Sequence, residues 1–329
     1  MKRPSLGGLF LGGLALSCAS LAVGLPRPDH TVVVVFENHS YSQIIGNGSA
    51  PYINSLRARG ASFTNSHAVG HPSEPNYLAL FAGTTENISD DSCPHAFSDP
   101  NLASSLAAAG LTFIGYSESM PNDGYTGCGS GNYARKHNPW VNFTNVPPTS
   151  NLTFADFPPD YANLPTVSIV VPNLCNDMHN CSVGTGDSWL ASHLDGYIQW
   201  ASANNSLFVL TFDEDGSNTP TNQITTIFVG PMVVSGDNGM LITHYNVLRT
   251  VEDLYGAAPT GSAASVAAIT GIWEAPTPTP TATATPTVTP TPADAPRGQI
   301  EAPTAPRRLP IWIPFRPTIA PPPTAMPLE

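Results

Sequence analysis

Two unbroken apolar runs in this chain each end on acidic residues. Val32-Val33-Val34-Val35-Phe36 gives way to Glu37-Asn38, and Leu207-Phe208-Val209-Leu210-Thr211-Phe212 gives way to Asp213-Glu214. A run of this length without polar alternation reads as a strand covered on both faces. Strands are predicted near 31–37, 62–67, 111–117, 166–172, 207–213 and 224–230. Helices are predicted near 51–59, 74–82, 101–109, 187–203 and 244–256. Gly60 and Gly110 fall where helix C-caps belong, and Asp187 is placed to cap the helix carrying Trp189, Leu190, Leu194 and Ile198. The alternation of the two element types predicts an α/β fold with a mostly parallel central sheet, flanked by helices on both faces. Residues 118–165 are rich in Gly, Asn and Pro and carry few strong signals, so they are expected to form long loops over one end of the sheet.

Composition sets the boundaries. Residues 1–24 read as an export signal: Lys2 and Arg3, an apolar stretch from Leu6 to Leu16, then small residues with Ser17-Cys18-Ala19 in a cleavage-like pattern. A lipoprotein anchor at Cys18 is the alternative for this segment. After Trp273 the composition changes abruptly, with sixteen of the 35 prolines between Pro276 and Pro327. The expected organisation is therefore a leader at 1–24, a folded domain at 25–273 and a Pro/Thr-rich extended tail at 274–329. Within the tail, Leu309-Pro310-Ile311-Trp312-Ile313-Pro314-Phe315 is apolar but too short to span a bilayer. It leaves cell-surface association through the tail open.

With Cys18 assigned to the leader, Cys93, Cys128, Cys175 and Cys181 remain. An even number in an exported chain favours disulfides. Cys175 and Cys181 are close enough to close a small loop, which leaves Cys93 for Cys128, although three connectivities stay open on sequence. The spacings lack CxxC pairs, which argues against a zinc–thiolate site. The net charge of −12, with only 12 Lys plus Arg, argues against a nucleic-acid partner.

Acidic residues at strand C-termini lie where open α/β sheets bind ligands. Glu37, Asn38, Asp213 and Glu214 could converge there on one divalent cation, and oxygen donors suit Mg²⁺, Ca²⁺ or Mn²⁺, with Zn²⁺ also open. Ser73, in His71-Pro72-Ser73-Glu74-Pro75-Asn76-Tyr77, opens a predicted helix whose N-terminus favours an incoming anion. A neighbouring cation would activate its hydroxyl as a nucleophile. Asp177 and His179 lie two apart after an apolar strand. In an extended loop they would point the same way, the carboxylate orienting the imidazole as a general acid. His137 sits in Arg135-Lys136-His137, the densest basic patch of an acidic chain, where it could hold phosphate oxygens. His71 is close to Ser73 in sequence. His244 opens a helix and is expected to cap or pack rather than react.

Four ordered motifs carry a resemblance over about residues 30–272. They are Phe-Glu-Asn-His-Ser, His-Pro-Ser-Glu-Pro-Asn-Tyr, Pro-Asn-Leu-Cys-Asn-Asp-Met-His and Thr-Phe-Asp-Glu. In this order they resemble the bacterial phosphoesterase family of secreted acid phosphatases and non-specific phospholipases C, within the alkaline-phosphatase-like superfamily. The resemblance implies Ser73 as a phosphorylated nucleophile and metal ligand. Glu37, Asn38, Asp213 and Glu214 would be the other ligands, although some acid phosphatases of the family have Asp-Asp where this chain has Asp213-Glu214. It implies His137 and His179 on the transferring phosphoryl group, with His179 as acid for the leaving oxygen; Asp177 and His71 are expected beside them as substrate-binding residues. The expected activity is secreted, metal-dependent phosphomonoester hydrolysis on a small-molecule or lipid-headgroup ester. Phosphodiester cleavage by a phospholipase C and a non-catalytic surface-binding protein are the two rivals.

Overall fold

The computed structural model describes residues 25–274, so the expected leader and nearly all of the expected tail lie outside the described residues. The strands are β1 (Thr31–Phe36), β2 (Ala61–Phe63), β3 (Ser66–His67), β4 (Phe113–Ser117), β5 (Gly129–Ser130), β6 (Tyr133–Ala134), β7 (Asn151–Thr153), β8 (Val167–Val171), β9 (Leu207–Phe212), β10 (Ile227–Val229), β11 (Gly236–Asn238) and β12 (Ile242–Thr243). The helices are α1 (Tyr41–Ile44), α2 (Pro51–Arg59), α3 (Ser73–Ala82), α4 (Leu102–Ala108), α5 (Val183–Ala203) and α6 (His244–Tyr255). Eight strands form the main sheet in the order β11-β2-β10-β9-β1-β8-β4-β7. Every neighbouring pair is parallel except the two that β10 makes with β9 and β2.

Strand periodicity sorts the core into two layers. Val33 and Val35 of β1 join Leu207 and Val209 of β9 on one face, under Tyr77 and Phe81 of α3 and Val247 and Leu254 of α6. Val32, Val34 and Phe36 join Phe208, Leu210 and Phe212 on the other face, under Ile53 of α2 and Leu190, Leu194 and Ile198 of α5. A β-branched run suits such a strand because both faces are apolar. The helices on both faces and the mostly parallel sheet are those expected from the sequence.

Several details differ. The predicted strand at 62–67 is two strands, and three-residue β7 and β11 extend the sheet at its two edges. The 118–165 segment holds β5, β6 and β7 as well as loops. Trp140 from this segment packs on β4 at Gly115, where a Cβ would overlap the indole ring. Helix α5 begins at Val183, capped by Ser182, whose side chain accepts from Thr185 N. Asp187 is thus inside α5 and does not cap it. Its carboxylate accepts the backbone N–H groups of Tyr52 at 3.0 Å and Ile53 at 2.8 Å. It caps the first turn of α2 from a neighbouring helix, because Ala50 at that N-cap has no side-chain acceptor of its own. The described cysteines form Cys93–Cys128 and Cys175–Cys181.

Candidate active site and metal centre

Three adjacent parallel strands, β9, β1 and β8, end side by side, and each delivers a carboxylate to one place. Glu37 follows β1, Asp213 follows β9, and Asp177 lies in the loop after β8. Backbone bonds lock the three exits together. Asp213 N donates to Phe36 O at 2.9 Å, and Glu37 N donates to Asp177 O at 2.9 Å. Asn38 N donates to Asp213 Oδ1 at 2.8 Å. Asn38 makes that bond from the left-handed region, at φ 55°, a conformation that costs a non-glycine residue about 1 kcal/mol or more.

Ser73 reaches the same place from α3. The turn before it is pinned by Asn76, whose Oδ1 accepts from Val69 N at 3.0 Å and Gly70 N at 3.1 Å. Its Nδ2 donates to Gly70 O at 2.9 Å and Pro72 O at 3.1 Å. The Ser73 hydroxyl donates to Glu37 Oε2 at 3.2 Å. Tyr77, one turn further along α3, donates to Glu37 Oε1 at 2.5 Å. The Tyr77 ring stacks on His137 at a centroid distance of 5.0 Å. His137 in turn lies between two carboxylates, Nε2 at 3.3 Å from Glu37 Oε1 and Nδ1 at 3.4 Å from Asp177 Oδ2. Glu37, His137 and Asp177 form a group whose ligand atoms lie within 4.8 Å of one another.

The expected Asp177–His179 pairing is not what the loop makes. Met178 between them adopts φ 80°, which breaks the extended alternation on which a shared direction depends. Asp177 Oδ1 accepts the backbone N–H of His179 at 2.8 Å, while the His179 ring bonds Asn180 Oδ1 at 2.8 Å. The imidazole facing Asp177 is that of His137. His179 stands at the edge, its ring centre 5.9 Å from that of His137. Glu214 is turned to His71, with Oε2 at 2.7 Å from Nδ1. His244 is buried and bonds Phe212 O at 2.9 Å, a packing role. The basic patch is not a uniform solvated surface: Arg135 is buried among backbone carbonyls, and Lys136 pairs with Asp91 at 2.7 Å.

Charge at this centre is uncompensated. Burial, then Asp213 and Asp177, push the Glu37 carboxyl well above its ordinary range. Burial also raises Asp213, takes Asp177 up to about 7, and with help from Asp213 takes Glu214 up to about 8. Burial and the Lys136 charge drive the His137 imidazole down to about 3. Asp213 Oδ2, Asp177 Oδ2 and His137 Nε2 are buried without a hydrogen-bond partner. Buried polar atoms are rarely left so. Clustered carboxylates with orphaned lone pairs are the donor set a divalent cation satisfies, so these residues fit one.

Residues 47–258 match the Phosphoesterase family. This chain belongs to that family. It is 51% identical over 255 residues to a phosphatidylinositol-3-phosphatase of Mycobacterium tuberculosis, a match covering 77% of this chain and 85% of that protein. It is 31% identical over 228 residues to an acid phosphatase of Aspergillus fumigatus, covering 63% of this chain and only 51% of the fungal protein. Among solved structures, its fold is similar to that of a protein in the alkaline phosphatase superfamily from Vibrio parahaemolyticus. That likeness has a TM-score of 0.52 at 12% identity, covering 72% of this chain and 69% of the other. The resemblance read from the four motifs is thereby borne out at the level of family and fold.

Tyr77 was not singled out from the sequence, although it lies four residues after Ser73 and hence on the same helix face. Asp91 and Asn142 carried no signal. Asp91 Oδ1 accepts Glu74 N at 3.0 Å, and Asn142 Nδ2 donates to Glu74 Oε1 at 2.9 Å. Both contacts bridge distant segments.

Proposed function

We propose that this protein is a metal-dependent phosphomonoesterase that works through a phosphoserine at Ser73. The observation that carries the reading is the Ser73–Glu37 contact at a helix N-terminus, beside orphaned buried carboxylate oxygens. Family membership supports phosphate-ester hydrolysis, and the M. tuberculosis relative supports a monoester, with a phosphoinositide headgroup as one substrate class.

Ser73 Oγ attacks phosphorus, the ester oxygen leaves, and water later attacks the phosphoserine to release orthophosphate. The N-terminal turn of α3 favours the anionic phosphoryl group. Glu37 takes up the hydroxyl hydrogen bond and orients the nucleophile. His179, partly exposed at the edge, protonates the leaving oxygen, and His71, bonded to Glu214, contacts the substrate. Glu37 with Asp213, Asn38 and Ser73 would hold the cation, and His137 flanks the other oxygen of Glu37, with Asp177 beyond it. Bound there, a divalent ion would lower the Ser73 hydroxyl pKa and stabilise charge on the phosphoryl oxygens. An imidazole within reach tilts the choice from Mg²⁺ or Ca²⁺ towards Mn²⁺ or Zn²⁺. The two disulfides support an oxidising, extracytoplasmic setting. No helix among the described residues is long and apolar enough to cross a membrane.

The test is phosphate release from p-nitrophenyl phosphate by the full chain and by Ser73→Ala, with chelator and with each ion restored. Wild-type activity that chelation removes and an ion restores is expected, with Ser73→Ala slower by on the order of 10⁴-fold or more. Full activity in chelator, or in Ser73→Ala, would refute the reading.

A further inference from the structure

Lys136 is the single lysine of the described residues; the chain's other lysine is Lys2. The neighbouring cation, Arg135, is spent on Thr126 O, His95 O, Val141 O and Asn142 Oδ1. Lys136 is placed differently. Its ammonium pairs with Asp91 Oδ2 at 2.7 Å while 20% of its side chain stays exposed. The other oxygen of Asp91 accepts the backbone N–H of Glu74 at 3.0 Å, so this clamp ends one residue from Ser73. Lys136 is the sequence neighbour of His137, which lies 3.3 Å from Glu37, and its ammonium is near enough to Glu37 and Asp213 for both carboxylates to favour its charged form. The Cys93–Cys128 disulfide ties the loop of Asp91 to the segment that leads into Lys136. Lys136 is thus held between the helix of the nucleophile and the carboxylate centre. Its charge is felt on all sides. It is the largest influence after burial opposing protonation of His137, and a smaller one, behind burial and nearer groups, favouring the ionised forms of Asp177 and Glu214.

We propose that Lys136 binds a non-bridging phosphoryl oxygen of the substrate, and that this added charge selects phosphomonoester dianions over phosphodiester monoanions. The inference rests on the phosphatase reading above. An ammonium has three donors, and the structure engages one with Asp91, which aims the group and leaves donors for an anion. A monoester presents three non-bridging oxygens and two negative charges; a diester presents two oxygens and one charge. A second fixed cation therefore favours the monoester in a site otherwise lined with carboxylates, where a phosphate dianion would be repelled.

The test uses the full chain with the activating ion, and compares p-nitrophenyl phosphate with bis(p-nitrophenyl) phosphate in wild type, Lys136→Met and Lys136→Arg. Lys136→Met is expected to lose about 10- to 100-fold in kcat/KM on the monoester, the scale of a charge-assisted hydrogen bond. The loss falls mainly in KM, with orthophosphate inhibition weakened in parallel and the diester rate changed far less. Lys136→Arg restores part of the monoester preference. An unchanged monoester-to-diester ratio in Lys136→Met would overturn the proposal. A second measurement needs neither a variant nor turnover: acetylation of Lys136 in the wild type, read by peptide mass spectrometry with and without orthophosphate. Slower acetylation in phosphate supports the assignment, and equal rates overturn it. Wild type inert towards monoesters would instead remove the phosphatase reading, and the acetylation result would still decide whether Lys136 binds phosphate.

Discussion

Glu37 is the residue on which the site turns. Its Oε2 faces Ser73 and Asn38, and its Oε1 faces Tyr77 and His137. Tyr77 donates to this carboxylate, so if Glu37 is a cation ligand, as proposed, the tyrosine hydroxyl orients it. Tyr77→Phe keeps the ring stack on His137 and removes only that bond. The expected result is a 10- to 100-fold weaker cation affinity, the usual scale for the partner of a metal ligand, measured by calorimetric titration of the metal-free protein. Unchanged affinity would mean that the tyrosine only packs. Glu37, Asn38, Ser73 and Asp213 were legible because each sits at a strand end or helix start. The contact of His137 with Asp177 was not, since 40 residues separate them and no local pattern encodes it. The Asp177–His179 expectation failed on one residue, Met178, whose positive φ turns the two side chains apart.

At the scale of elements, legibility followed burial. β1 and β9 could be read because their residues are covered on both sides, which forces an unbroken apolar run. The edge strands β7, Asn-Leu-Thr, and β11, Gly-Asp-Asn, are three residues each and carry no such run. They extend the sheet by backbone pairing with β4 and β2, which composition does not record. Helix α5 starts four residues earlier than its pattern suggests. Gly184 and Gly186 weaken the helical signal there, and Ser182 supplies the cap. Gly186 also has a tertiary reason, since a Cβ there would crowd Met178 and Asn176 O. The loop that carries Asp177 is thus seated directly on α5, and the Cys175–Cys181 disulfide closes it from the other side.

For the whole molecule, the buried carboxylates predict how stability depends on pH. A carboxyl whose folded pKa is raised keeps its proton in the native state where the unfolded chain has released it. Its contribution is complete below the unfolded value of about 4 and is lost as pH rises through the folded value. That value is about 7 for Asp177 and about 8 for Glu214, with Glu252 of α6 also raised to about 7 by burial. The buried imidazoles of His137 and His244, driven down to about 3 and about 4, work the other way over this window, but more carboxyls than imidazoles are shifted, so the metal-free protein should melt at lower temperature at about pH 8 than at about pH 5. The proposed cation would bind the ionised carboxylates, so its stabilisation should grow over the same window. Melting curves in chelator and in excess Mn²⁺ or Zn²⁺ at both pH values measure this. A chelated protein whose melting temperature does not fall with pH, or a cation shift no larger at the higher pH, would contradict it.

On the proposed mechanism Ser73 carries the phosphoryl group between substrate and water. The most direct test is to mix the metal-loaded enzyme with excess p-nitrophenyl phosphate, quench in acid during turnover and map the phosphopeptides by mass spectrometry. A phosphate on Ser73, absent from Ser73→Ala and from samples quenched after the substrate is exhausted, is the result predicted. Turnover with no covalent phosphate on Ser73, or with the phosphate on another residue, would contradict it.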